Sequence, residues 1–495
     1  MVMRVGGIVS GMDIEAMVNK LMEAERMPLE RLKQQRTMLE WKRDAFRDIN
    51  SKLLELDNML LDMKLTRTYN PKTATSSNPN AVTANATSSA MNGTYEISVS
   101  QLATNEMRVS GKMSLAAKDA IGVSGTFRFH TFDENGNQET HEIEVAAEDT
   151  LESVLKKIEQ ASGGKVRAFY VNSGDGGGRV VLETTRTGVY NQDGAEIVFG
   201  EDDDSANFFH NILNFGAADS EHKHAANAVF KYNDGIEITA RENTYTLNGI
   251  TFQFHNVTEG NVRISVTTDV DTSFQKIMDF INKYNEVIEA MNKSQTEQRY
   301  RNYHPLSDEQ KAEMTEEQIK LWEERAKSGI LRGESSIRDG MQALRASLQS
   351  FVNNDGAFKL LSEIGITTSK NYLSGGKLEV DEEKLKAALR DNPDDVYKLF
   401  VGKGEGDERG LIHRFEEALD QVRGNIEKQA GKETSTLDNY TLGKRMKEIN
   451  ERISDYERKL IKVEERYWAQ FTQMEKAIAR LNEQANYLFA QFYNM

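Results

Sequence analysis

The sequence predicts an α+β multidomain fold: a helical coiled-coil leg built from both termini, with β-rich head domains inserted between. Three observations predict it. The charge is unevenly placed: residues 1–67 hold 12 basic and 11 acidic side chains, residues 411–495 hold 14 of each, and residues 68–410 keep 36 basic against 53 acidic, net −17. The ends also lack helix breakers, with no Gly between Gly11 and Gly93 or after Gly443, and no Pro after Pro393. Such stretches can run as long helices. Finally, the apolar period is helical at both ends and strand-like between about 94 and 271.

The N-terminal stretch starts near Asp13, an N-cap residue type, and runs through Ile14, Met17, Leu21 and Met22. Pro28 is expected to break or kink it. Leu32, Leu39, Phe46, Ile49, Leu53, Leu56, Leu60 and Met63 then continue the heptad spacing. Residues 69–92 are rich in Ser, Thr, Asn and Ala and read as a linker or an extended, poorly packed strand. Residues 94–103 alternate as a strand. A hairpin over 126–145 turns at Asn135-Gly136, a helix over 150–161 is capped by Thr150, and a second hairpin covers 166–185. Together they form a ββαββ unit. A short helix (204–215) and an unpatterned stretch (216–225) follow, and then strands up to about residue 271. Helical spacing returns at Phe274, Ile277, Met278, Ile281, Tyr284, Val287, Ile288 and Met291. Residues 308–353 are mostly helical, 377–402 give a strand and two short helices around Pro393, and a helix over 410–430 precedes the last one. The β modules thus sit between two helical arms, which predicts an elongated molecule with its acidic head far from the termini.

The final helix carries the clearest pattern. Met446, Ile449, Ile453, Tyr456, Leu460, Val463, Tyr467, Phe471, Met474, Ile478, Leu481, Ala485, Leu488 and Phe492 alternate in steps of three and four, with one stutter near Tyr467. Each buried seam residue is worth about 1.5–3 kcal/mol, so the seam must find a partner or stay disordered. The inner seam (Phe46, Ile49, Leu53, Leu56 and Leu60 with Ile449, Ile453, Leu460 and Val463) is expected to form an antiparallel pair of the two ends. The outer halves, about 1–30 and 465–495, have little else here to pack against and are expected to order only inside an assembly.

Composition excludes several classes. A net charge of −16 argues against non-specific binding to nucleic acid or an anionic membrane. The absence of Cys excludes disulfides, thiolate metal sites and thiol nucleophiles. There is no apolar run of about 18 residues, and the start lacks the apolar core of a secretory signal peptide. No catalytic, cofactor-binding or metal site is assigned. Glu221-His222-Lys223-His224 reads as a solvated loop: two His at i,i+2 meet on one face only in a strand, and no third ligand is evident. Gly174-Asp175-Gly176-Gly177-Gly178 reads as a hairpin turn rather than a phosphate loop. Glu201-Asp202-Asp203-Asp204 lacks calcium-loop spacing and reads as a helix cap. Ser10, in Gly7-Ile8-Val9-Ser10-Gly11, has no strand ahead of it as a nucleophile elbow would.

Several segments resemble one family. GIVSGMDIEAMVNKLMEAERMPLERL, with Gly7, Ser10, Gly11, Met12 in place of the usual Leu, Asp13 and Pro28, is similar to the opening of the flagellar filament cap family (hook-associated protein 2, FliD). GTYEISVSQLAT (93–104), the helix over 267–292, LRGESSIRDGMQALR (331–345), LSEIGITTS (361–369), 375–400 and 471–492 are similar to later family segments, in order. The region 109–222 is not diagnostic, and 296–327 looks like an extra helical insert found in some members. The resemblance implies a terminal coiled coil, D0-like and disordered when free (1–35 and 460–495), and a D1-like leg (36–75 and 270–459). It further implies a D2-like β head domain (76–108 and 223–269) and a D3-like inserted α+β domain (109–222). The implied function is a structural, non-enzymatic cap at the distal filament tip, a ring that promotes insertion and folding of exported flagellin and prevents its loss. Implied partners are further copies of itself, as a pentamer, flagellin, the hook–filament junction proteins and a cytoplasmic export chaperone on the C-terminal helix. No cofactor, nucleic acid or membrane insertion is implied. The implied location is extracellular, at the flagellum tip, reached by the flagellar type III pathway without a cleaved signal peptide. Leg–filament contacts are expected from Ile14, Met17, Leu21, Phe471, Met474, Ile478, Leu481, Leu488 and Phe492. The alternative is a coiled-coil-stalked adhesin whose head binds glycans; in some family members the head binds host mucin.

Overall fold

The computed structural model describes residues 11–172 and 177–493, without the side chains of Tyr372 and residues 490–493. Ser10 and most of the 174–178 glycine run therefore lie outside the described residues. The chain divides into two compact units, residues 1–69 with 270–495 and residues 70–269.

Along the chain, α1 (Ile14–Met63) and α2 (Thr66–Tyr69) lead into the strands β1 (Lys72–Ser76), β2 (Val82–Ala86), β3 (Gly93–Gln101) and β4 (Met107–Val109). The hairpin β5 (Gly125–Phe132) and β6 (Gln138–Val145), helix α3 (Leu151–Ala161) and hairpin β7 (Val166–Asn172) and β8 (Gly178–Thr184) follow. Then come β9 (Val198–Phe199), α4 (Asp203–Asn207), β10 (Glu221–Lys223), β11 (Ala228–Tyr232), β12 (Ile236–Ala240), β13 (Thr244–Leu247), β14 (Ile250–Phe254) and β15 (Val262–Thr268). The return path holds α5 (Val270–Thr296), α6 (Asp308–Ala312), α7 (Glu316–Lys327) and α8 (Ser335–Gln349). It ends with β16 (Ile366–Thr368), β17 (Leu378–Val380), α9 (Glu382–Asp391), α10 (Pro393–Val401), α11 (Leu411–Ala430) and α12 (Thr441–Tyr493).

In the helical unit, Asp13 caps α1 by accepting from Ala16 N at 2.9 Å. The expected break at Pro28 is corrected: α1 is one helix of 50 residues with Pro28 inside it. An internal Pro costs about 3 kcal/mol. Ile14, Val18, Met22 and Leu29, on either side of Pro28, are all buried beside α12. At about 1.5–3 kcal/mol each, their burial exceeds that cost. The second half of α1 buries Phe46, Leu53, Leu56 and Leu60 in a core with Ile277, Phe280 and Tyr284 of α5 and Phe415 and Leu419 of α11. Phe280 and Phe415 meet edge-on at 5.6 Å. Ion pairs Lys52–Glu286, Lys283–Glu55 and Arg423–Asp57 bracket this core. Such pairs contribute little net energy when half-exposed, but they discriminate against other registers. Burial pushes the Asp57 carboxyl above its usual range, against the opposing pull of Arg423. The insert at 296–327 packs on α1: Lys327 lies over the Trp41 ring at 4.8 Å, and Arg299 reaches Met38.

In the second unit, β1 pairs with β15 from Lys72↔Thr268 to Ser76↔Ile264. The leg boundary expected at residue 75 therefore moves to Tyr69. Of the two readings of residues 69–92, the strand holds and the linker does not: β1 and β2 join β15 and β14, and with Val82 and Ala90 buried the segment is not poorly packed. One core lies between the sheets β1-β15-β3-β11-β12 and β13-β14-β2. Asn248 and Gly249, both at positive φ, turn the β13–β14 hairpin as such a tight turn requires. The other core is closed by α3, β6-β5-β9 and β10-β4-β8-β7, so the two predicted hairpins fall in different sheets. Thr150 caps α3 and Asp202 caps α4, accepting from Ser205 N at 2.8 Å. After α4 a π-turn places both Phe208 and Phe209 in this core, stacked on Phe127 and Phe199.

Candidate functional site

The terminal helices α1 and α12 run antiparallel. Ile14, Val18, Met22, Leu29, Leu460 and Val463 form their buried seam, flanked by half-buried Ile453, Tyr456, Tyr467, Trp468 and Phe471. Tyr467 Oη donates to Glu25 Oε1 at 3.0 Å, a polar pin on an otherwise apolar contact. The pair forms because each helix carries apolar residues at steps of three and four, which line one stripe of an α-helix.

The nine expected contact residues separate into three groups. Ile14 is 2 % exposed and lies inside the intramolecular seam, with Phe471 half-buried beside it. Ile14 is therefore corrected from an outward contact to an internal one. Met17 and Leu21, 39 % and 41 % exposed, form a second apolar stripe flanking the seam. On α12 beyond the paired part, Met474 and Ile478 are half-buried, while Leu481 and Leu488 are 63 % and 53 % exposed, with Tyr487 and Phe489 beside them. The Phe492 side chain lies outside the described residues. The expected pairing of the inner seam is corrected: Phe46, Ile49, Leu53, Leu56 and Leu60 are buried against α5 and α11, whereas Leu460 and Val463 are buried against Ile14, Val18, Met22 and Leu29 at the other end of α1, with Ile449 and Ile453 half-buried. Val18 and Leu29 were missed. The signal was present as Ile14, Val18 and Met22 in steps of four, but Met17 and Leu21 offer a competing stripe on the same helix.

Chemically, this surface is apolar and repetitive, suited to helix-on-helix association rather than to catalysis. Among the described residues the apolar seam of α12 runs on past its intramolecular partner, which is the shape of an assembly contact.

Comparison with known proteins places this arrangement. The family profile for the flagellar hook-associated protein 2 C-terminus matches residues 225–483, and that for its N-terminus matches residues 10–106. The flagellar hook-associated protein 2 of Halalkalibacterium halodurans is 33 % identical over 97 % of this chain and 98 % of its own. That of Thermotoga maritima is 23 % identical over 98 % of this chain and 95 % of its own. In fold, the D1-D2-D3 domains of the flagellar cap protein FliD from Escherichia coli align with a TM-score of 0.57 at 23 % identity, over 79 % of this chain and 97 % of that one. The two profiles together match well over half of the chain, and the Halalkalibacterium halodurans relative is 33 % identical over 97 % of it, so the chain belongs to the flagellar hook-associated protein 2 (FliD) family.

Proposed function

We propose that this protein caps the distal tip of the bacterial flagellar filament, as a structural ring that promotes insertion and folding of exported flagellin and prevents its loss. One observation carries the reading: among the described residues, the α12 seam continues as an exposed apolar stripe through Leu481 and Leu488 past its pairing with α1. Family membership gives that stripe its context, a filament end. Residues 1–35 with 460–495 act as the D0-like contact to the filament, 36–69 with 270–459 as the D1-like leg, 70–108 with 223–269 as the D2-like head domain, and 109–222 as the D3-like one. Copies of the chain close into a pentamer. The hook–filament junction proteins hold the first ring before flagellin arrives. A cytoplasmic chaperone covers the apolar end of α12 before the chain leaves through the flagellar type III pathway. A chain with no Cys is suited to passing a narrow channel unfolded, since no disulfide has to form or break.

The test is complementation. Purified protein is added to cells that lack their own cap and leak flagellin of the matched type, and filaments are counted by electron microscopy. Regrowth is the expected result; no regrowth with folded protein overturns the reading.

A further inference from the structure

His222 and His224 sit where the chain leaves the inserted α+β module, and Glu106 sits where it enters. Two corrections to the sequence reading bring them together. Residues 221–223 are strand β10 and not a loop, and His224, one residue past its end, still brings its ring beside that of His222. A third donor is also present. The antiparallel register pairs His222 with Arg108 and Lys223 with Met107, and the next position sets His224 opposite Glu106. His222 Nε2 is 3.0 Å from Glu106 Oε1, the two imidazole centroids are 3.9 Å apart, and the donor atoms of all three residues lie within 4.8 Å of one another.

The hydrogen bonding of Glu106 leaves this arrangement incomplete. Its side chain is 1 % exposed. Oε2 accepts from Glu196 N at 2.5 Å, while Oε1 is approached by Ile197 N at 3.2 Å, Arg108 Nε at 3.2 Å and His222 Nε2. An sp² oxygen offers two lone pairs, so three donors on Oε1 exceed its capacity while Oε2 is under-used. A cation held by the two imidazoles and Oε2 resolves that mismatch, because His222 then offers the cation a lone pair and Oε1 no proton, which leaves Oε1 with Ile197 N and Arg108 Nε.

We propose that Glu106, His222 and His224 bind one divalent transition-metal ion of the zinc class, tying together the segments that enter and leave the inserted module. The donor set selects the class. Arg108 neutralises Glu106, so little net negative charge attracts a hard cation. Calcium and magnesium need several oxygen ligands, and one carboxylate is supplied. Imidazole suits zinc, copper and nickel. Zinc at about 2.0–2.1 Å from each donor keeps a fourth position for water, and both histidines face solvent there. The consequence is mechanical. Among the described residues, β10 is a three-residue edge strand that pairs in the sheet with β4 alone, and a metal bridge adds a second tie at that point.

The experiment uses the full chain, stripped with EDTA and titrated with zinc chloride by calorimetry, with magnesium chloride as the counter-probe. The comparison is the double variant His222→Ala/His224→Ala, its fold checked by circular dichroism. The expected result is one zinc per chain, at least about tenfold weaker binding in the variant, and zinc-dependent protection from trypsin at Lys223 in the parent chain alone. Unchanged zinc affinity in the variant, or equal magnesium binding by the parent, overturns the proposal.

Discussion

Replacing Leu481 and Leu488 together by Asp separates assembly from folding. Leu481 is 63 % and Leu488 53 % exposed. Burying a whole leucine side chain is worth about 1.5–3 kcal/mol, so the fractions still open to water are worth about 2–3.5 kcal/mol per subunit when an assembly covers them. Each carboxylate also has to be desolvated or paired there, which adds to the loss. At about 1.4 kcal/mol per tenfold, tip binding should fall by at least about thirtyfold. Folding of the free chain loses only the helix-propensity difference, about 0.7 kcal/mol or less per residue, confined to the end of α12. The assay is filament regrowth on cap-less cells over a concentration series, beside thermal unfolding of the purified variant. Regrowth at the parent's concentration, with the melting temperature unchanged, would refute the reasoning.

Other outcomes follow from the same structure. Pro28→Ala restores a backbone donor inside α1 and removes a ring clash, so it should stabilise the helical unit by up to about 3 kcal/mol; a chemical denaturation series reads it, and an unchanged midpoint counts against a continuous packed helix. Gly340→Ala sets a Cβ 2.8 Å from Val422 Cγ1 where α8 meets α11, which should cost about 1–3 kcal/mol; adding Val422→Ala should recover most of it, and no recovery would place the strain elsewhere. Burial holds His413 below its ordinary 6.5, helped by Lys64 and Arg409, and burial does the same to His141, with Lys165 adding to it. The folded state therefore binds fewer protons than the unfolded one in that window, so the stability these groups contribute is present above about pH 6.5 and is lost as pH falls through their folded values. Melting between pH 7.5 and 5.5 should fall less steeply for His413→Gln than for the parent, and parallel curves would remove His413 as a cause.

Much of the fold was legible because it is written in short-range rules. The caps Asp13, Thr150 and Asp202, the Asn135-Gly136 turn and the seam from Met446 onward each depend on residues three or four positions apart, and each could be read directly. The opening and closing segments carried the family resemblance for the same reason. The candidate site was half legible. The stripe on α12 was visible, yet which of its residues are covered depends on where α1 stops, and no local pattern reports that.

What the sequence by itself determined is the order of helical and strand segments and the two apolar stripes that must find partners, since periodicity and capping are properties of neighbours along the chain. The tertiary structure decided the rest. Helix α1 runs through Pro28 because α12 packs against it on both sides. Residues 72–76 and 82–86 become strands because β15 and β14 offer them ladders, where their composition alone left linker and strand both open. Ile14 turns inward while Leu481 stays out because of how far the two helices overlap. Glu106 meets His222 and His224 only because antiparallel pairing sets the entry strand beside the exit strand. In each case the deciding free energy comes from contacts between residues far apart in sequence, which local spacing does not encode.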